Sequence, residues 1–235
     1  MSAKTRLKSL LKRSSRKVVT FGLFGLGSVT IASPAFAASI DLSNFQTSGD
    51  VGNVTPDQAT ITNAVSSSNP QYPDDFDGSG NPVNYNVSGS EPTYISDLET
   101  FLGVSQGALG LDATEGSAIR TANPISFLAG DTFSFDFDFV TNDDPGSDFA
   151  FVTIGSSILS ATGSRFEYIF PTAGSFNIGI GVIDGNDTAR SSQLVVRNAD
   201  VKPVPEPLTI MGSLTAIGMG VRLRQRLRQR LEKKA

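Results

Sequence analysis

Phenylalanine stands at every second position from Phe133 to Phe139, with Thr132, Ser134, Asp136 and Asp138 between the rings. Side chains alternate across a β-strand, so this spacing puts aromatic rings on one face and hydroxyls or carboxylates on the other. On a helix the same residues would be spread around the whole circumference. The segment is therefore predicted to be a strand with one dry face, and a dry face needs a second layer to cover it. Further short runs follow at Phe149–Ile154, 158–161, 165–170, 176–182 and 193–198, separated by Gly, Pro, Asn and Asp. In the fourth of these, Gly179 and Gly181 fall on the side opposite Phe176, Ile178, Ile180 and Val182. Strands at this spacing with such turns predict a mainly β fold, an antiparallel two-sheet β-sandwich over 113–202. A parallel βα arrangement would need long helical runs between the strands, and the sequence has none.

Ahead of that region, 38–112 is polar and rich in turn residues. Strands are expected only near 40–45 and 59–65, with loop elsewhere. One short helix is predicted near 96–103. Ser96-Asp-Leu-Glu99 has the spacing of a capping box, Leu98, Phe101 and Leu102 share a face, and Gly103 is the stop.

What is missing narrows the chemistry. The chain has no Cys and no His. Disulfides, thiolate zinc sites, Cys nucleophiles, Ser–His catalysis and His-ligated metals are all excluded. The formal net charge of −4 conceals three regions. Residues 1–17 hold seven cations and no acid, and 222–235 hold seven cations against Glu232. Between them, 38–203 holds five cations and 21 acids, so 5 − 21 gives −16. A region this acidic repels nucleic acid, which is bound by clustered Lys and Arg, and is better suited to cations.

Both ends read as addresses. A basic start, an apolar run over 18–32 and the site Ala35-Phe-Ala37 make a three-part secretory signal, with cleavage expected after Ala37. The predicted partners at this end are the Sec-type export machinery and signal peptidase. At the other end, Val204-Pro-Glu-Pro207 precedes a 14-residue apolar run, 208–221, and then the Arg-rich 222–235. At about 1.5 Å per residue that run reaches roughly 21 Å, short of a hydrocarbon core of about 30 Å. It is a poor permanent anchor but a workable stop-transfer helix, with its cations held on the cytoplasmic side.

The motif, the short apolar helix and the basic end together resemble the PEP-CTERM sorting signal of Gram-negative bacteria, in its cyanobacterial form. The resemblance covers 203–235. It implies an exosortase-type protease acting at Pro205, Glu206 and Pro207, and transient insertion in the inner membrane. It also implies delivery to a surface rich in extracellular polysaccharide. Segments such as 113–119, 129–136, 148–152 and 179–184 resemble the jelly-roll or lectin-like domains that often precede such signals, which implies a fold more than a ligand.

Two constellations in the body are candidates for calcium. Asp75, Asp77 and Ser79, followed by Gly80, match the first half of a calcium loop, although Asn86 stands where a bidentate Glu is expected. Asp136 and Asp138 on the wet face, Asp143 and Asp148 in the next loop, and Asp184 and Asp187 at the end of another strand supply further carboxylates. The alternative for each acid is a solvated surface. The paired carboxylates Asp136 and Asp138 also admit a glycan-active hydrolase, but the chain has no Trp and only four Tyr to stack on a sugar. The expectation is a non-enzymatic structural, adhesive or polysaccharide-binding protein, with a secreted glycan hydrolase as the alternative.

Overall fold

The row of alternating phenylalanines forms the longest run of the core. The computed structural model describes residues 37–70, 75–76, 82–143, 147–185 and 190–204, and Arg224 beyond them. The signal segment up to Phe36, Asp77, Ser79, Asp187, the Pro205–Pro207 motif and the apolar run 208–221 lie outside the described residues. In chain order the strands begin with β1 (Ala38–Ser39), β2 (Phe45–Ser48), β3 (Asp50–Gly52) and β4 (Gln58–Thr62). Two short pairs of residues, β5 (Asp75–Phe76) and β6 (Pro82–Val83), form a ribbon, and β7 (Thr93–Tyr94) leads into the helix α1 (Ile95–Leu102). Then come β8 (Ala113–Thr121), β9 (Ile125–Phe127), β10 (Thr132–Thr141), β11 (Phe149–Ile154) and β12 (Ser157–Ser160). The last are β13 (Arg165–Ile169), β14 (Gly174–Phe176), β15 (Ile178–Gly185) and β16 (Ser192–Lys202).

Twelve of these strands make two antiparallel six-stranded sheets, and β9 pairs with β14 as a second ribbon. The first runs β13-β10-β16-β4-β3, with β1 also on β16; the second runs β12-β11-β15-β8-β2, with β7 also on β8. One apolar cluster joins them, drawing Ile61, Phe133, Phe135, Phe137, Leu194 and Val196 from the first sheet and Ile119, Val152, Ile154, Ile178, Ile180 and Val182 from the second. Phe133, Phe135 and Phe137 are buried as their spacing predicts, while Ser134, Asp136 and Asp138 turn to the other face. Phe166 from β13 stacks on Phe135 with centroids 5.2 Å apart, which closes the aromatic row from the neighbouring strand.

Every residue of β15 is buried, because this strand is covered on both sides. One side faces the shared core. On the other lies α1, whose Leu98 and Leu102 pack with Leu109, Ala118, Phe151 and Ile183 in a second cluster. The two glycines predicted on this outer side make room for it. A Cβ on Gly179 would lie 2.6 Å from Leu102 Cδ2, and one on Gly181 would lie 2.6 Å from Phe151 Cζ.

The structure departs from the sequence reading in three places. The stretch 38–66, expected to be mostly loop, supplies β1, β3 and β4 to one sheet and β2 to the other, so the sheets extend well ahead of residue 113. The strand expected over 40–45 is instead the 3₁₀ turn Leu42–Asn44, capped by the Asp41 carboxylate on the Ser43 amide at 2.9 Å. The helix ends at Gly103 in the left-handed region (φ 74°) as expected, but the capping box does not form. Tyr94 is the N-cap and makes no side-chain cap, and Glu99 is turned away to another task.

The burial pattern of β10 sets a direct test. Phe135→Asp removes a ring, a change that costs about 3–5 kcal/mol when Phe is cut to Ala, and adds an unpaired carboxylate to the core. Far-ultraviolet circular dichroism is expected to show an unfolded Phe135→Asp chain and a folded Asp136→Ala chain. Equal disruption by both would mean that the strand presents its other face to the core.

Candidate functional site

The candidate acids fall at two separate places. Asp136 and Asp138 project from the outer face of β10, where β13 and β16 flank them with arginines. Arg165 Nη1 donates to Asp136 Oδ1 at 2.6 Å and its Nε donates to Glu167 at 3.0 Å, while Arg197 pairs with Asp138. Asn198 Nδ2 donates to Asp136 Oδ2 at 3.2 Å, and Arg165 Nη2 donates to the Ser134 hydroxyl, which donates to Asp200. Hydrogen bonds from Arg165 and Asn198 hold the Asp136 carboxyl below the ordinary carboxylate range, and Asp136 in turn raises the Arg165 guanidinium. This is a cross-strand ladder of exposed ion pairs, each of small worth in water.

Asp143, Asp148 and Asp184 come together at one end of the two-sheet body, where β10 leaves, β11 begins and β15 finishes. Asp148 is buried, and its oxygens are filled by the chain itself. Asn63 Nδ2 donates to Oδ2 at 2.9 Å, the Ser192 hydroxyl donates to the same oxygen, and the Gly185 amide donates to Oδ1 at 3.3 Å. Burial pushes its carboxyl above the ordinary range, the three donors oppose that, and the Asp143 charge adds to it. Asp143 also lies 3.7 Å from Arg190. Asp184 is buried within β15, directly across from Glu115 of β8, rather than at an exposed strand end. Asp75 opens β5, while its companions Asp77 and Ser79, like Asp187, lie outside the described residues. Among the described residues no three carboxylates converge as a metal-binding group.

The sequence reading missed what most of the inward-facing acids do. Asp50 accepts from the Val87 amide at 2.9 Å, the Ser88 amide at 2.7 Å, and the hydroxyls of Thr62 and Ser88. Glu99 accepts from the Gly107 and Leu109 amides at 2.8 and 3.0 Å. Asp131 accepts from the Leu128 and Val204 amides at 2.8 and 3.1 Å. Glu91 accepts from the Ser66 amide and hydroxyl and from Asn69, donors that lower its carboxyl against the opposing effect of burial. Of these, only Asp131 carries a local signal. It follows Gly130, and an Asp beside a turn glycine commonly bonds a nearby amide.

Two concavities are of a size to consider. One of about 380 Å³ is lined by Ile40, Asp41, Asn44, Phe45, Thr121 and Asn123 among others. Its amides and half-buried ring mix polar and apolar contact in the way small-ligand sites do. A second, of about 240 Å³, lies beside Leu111, Asp112, Ser147 and Gly185, next to the acidic end. The chain matches no protein-family model and no curated protein. Among the described residues, no helix is long and apolar enough to cross a membrane.

Asp148 gives this site a pH signature of defined sign. Its carboxyl is raised in the fold, so the folded chain binds a proton more tightly than the unfolded one. The stability it contributes therefore falls as pH rises from about 4 through the raised value, and levels off above it. Asp148→Asn removes that slope. Urea unfolding from pH 4 to 7 is expected to show the variant gaining on the parent as pH rises, and a constant difference between them would contradict the assignment.

Proposed function

We propose that this chain is an exported cell-surface or extracellular-matrix protein, sorted by its C-terminal segment, with a non-enzymatic structural, adhesive or polysaccharide-binding role. One observation carries the reading. The last strand, β16, ends at Lys202, and Val204-Pro-Glu-Pro207, the apolar run 208–221 and the basic 222–235 follow in that order with nothing between. A PEP-CTERM signal needs its three parts in that order and a folded body ahead of them. The N-terminal segment supports the same route, since its basic start, apolar run and Ala35-Phe-Ala37 site have the three parts of a secretory signal. The partners of this reading are the export machinery and signal peptidase, an exosortase-type protease, and extracellular polysaccharide.

The body fits that destination. With no cysteine, its two antiparallel sheets are held by their core alone, which tolerates any redox compartment. We read the two-sheet arrangement as jelly-roll or lectin-like. The groove lined by Asn44, Phe45 and Asn123 is the place we assign to a sugar, with side-chain amides for its hydroxyls and a ring edge for its apolar face. Calcium is the cation this reading admits, at the end where Asp143, Asp148 and Asp184 gather.

Intact mass spectrometry of the protein recovered from the cell surface tests the sorting. Loss of both 1–37 and the basic end 222–235 is expected. Surface material that still carries Arg222–Ala235 overturns the reading.

Thermal melts test the cation. A calcium ion bound only by the folded state stabilises it by mass action, so melting in millimolar calcium is expected several degrees above melting in chelator. Magnesium is expected to substitute poorly because it demands a tighter octahedron. An Asp143→Ala/Asp148→Ala pair is expected to abolish the shift. Identical melts in calcium and chelator would leave the acids with their amide and arginine partners as their whole function.

A further inference from the structure

The chain enters and leaves the two-sheet body at one end. Ala38 pairs with Val201, so the strand that follows the expected signal cleavage lies beside the strand that precedes the sorting motif. At the same end Thr132 pairs with both Ile169 and Lys202. Beyond Thr132 the Asp131 carboxylate gathers the neighbouring segments. It accepts from the Leu128 and Val204 amides, while the Asp131 carbonyl accepts from the Phe170 amide at 2.9 Å. A Cβ on Gly130 would lie 3.0 Å from Val204 Cγ2, so the departing chain is packed against this turn.

Six large apolar side chains are exposed among the described residues, and three of them, Leu128, Ile169 and Val204, stand on the segments that meet at Asp131. Single exposed apolar side chains need no explanation, but a group of them at one place marks a contact surface. Lys202, exposed beside them, adds a positive charge. The length of chain beyond says what lies opposite. Only Pro205, Glu206 and Pro207 separate Val204 from the apolar run that begins at Leu208. Three residues span at most about 10 Å even when fully extended. A bilayer that takes up 208–221 is thus within reach of this end of the body, and so short a tether makes even a weak contact persistent.

Resting on the reading of 208–221 as a membrane-inserted segment, we propose that the end of the body bearing Leu128, Ile169, Val204 and Lys202 is a lipid-contact face. It seats the domain on the bilayer surface until the tail is cut. The apolar side chains enter the headgroup boundary, the Lys202 ammonium meets lipid phosphate, and Asp131 holds the emerging chain so that this end alone faces the membrane.

The absence of cysteine makes the test site-specific. Single substitutions Leu128→Cys, Ile169→Cys, Val140→Cys and Ile217→Cys are introduced into the full-length chain and labelled with an environment-sensitive fluorophore. The labelled proteins are reconstituted in vesicles of phosphatidylcholine and phosphatidylglycerol carrying a nitroxide at headgroup depth. Val140 is exposed on the same strand, eight residues and about 27 Å from Thr132, and serves as the control. Labels at 128 and 169 are expected to be quenched several-fold more than the label at 140. Quenching at 217 without quenching at 128 and 169 overturns the lipid face while leaving the membrane reading of the tail in place. No quenching at 217 overturns both. Labels at 128 and 169 that are shielded but unquenched would assign the face to a second copy of this chain, and that too overturns the proposal.

Discussion

The buried Asp50 carboxylate is the tie on which the irregular part of this molecule depends. It sits on the short edge strand β3, and its four donors come from β4 and from the segment that crosses above it, while its own amide donates to Ser117 Oγ of the opposite sheet at 2.8 Å. A buried carboxylate is expensive unless its lone pairs are filled, and a buried amide is expensive unless it finds an acceptor. Each solves the other's problem. Glu99 does the same for the loop after α1, Asp131 for the departing chain and Asp148 for the end of β15, while the exposed Glu91 ties the turn at Ser66. In a chain with no disulfide and long polar connections, charge-assisted bonds from carboxylate to amide replace covalent staples.

This also changes what the acidic composition means. The excess of carboxylates over 38–203 suggests a repulsive surface in need of a cation. Several of those acids are not on the surface at all. Asp50, Glu99, Asp131, Asp148 and Asp184 are each at most 5 % exposed. On the outside, Asp136 and Asp138 each have an arginine across the strand. Backbone amides meet several of the buried carboxylates and arginines meet these two, while Asp143 and Asp148 lie close enough for the charge of one to act on the other.

The regular part of the fold was legible in the sequence because a strand's periodicity is local. Phe133, Phe135 and Phe137 announce their own burial, and the glycines opposite Ile178 and Ile180 announce a close approach even before the partner is known. Neither device needs information from elsewhere in the chain. The carboxylate ties were not legible, because Asp50 meets Ser88 across 38 positions and Asp148 meets Ser192 across 44. A lone Asp or Glu in a polar stretch looks the same whether it will face water or a distant amide. Glu99 shows the trap most clearly. Its spacing from Ser96 satisfies a capping rule, yet the side chain finds two amides beyond the end of the helix and the N-terminus goes without a side-chain cap. The strand expected near 59–65 forms as β4, but β1, β2 and β3 were hidden for a related reason. They are short and partly polar, and they are stable only because β16, β8 and β4 offer them a finished edge.

The position of the proposed sorting motif fits the sheet that precedes it. β16 is a hub of the first sheet, paired with β10, β4 and β1, so any cut within Ser192–Lys202 would remove an internal strand. Proline has no amide to donate and cannot extend a ladder, and prolines stand at 203, 205 and 207. The first of them stands immediately after Lys202, where the last strand ends. The Asp131 carboxylate accepts from the Val204 amide, one residue before Pro205. A cut at Pro205–Pro207 would leave every strand of the two sheets intact, because β16 ends at Lys202 and the Asp131 tie is made at Val204, both ahead of it.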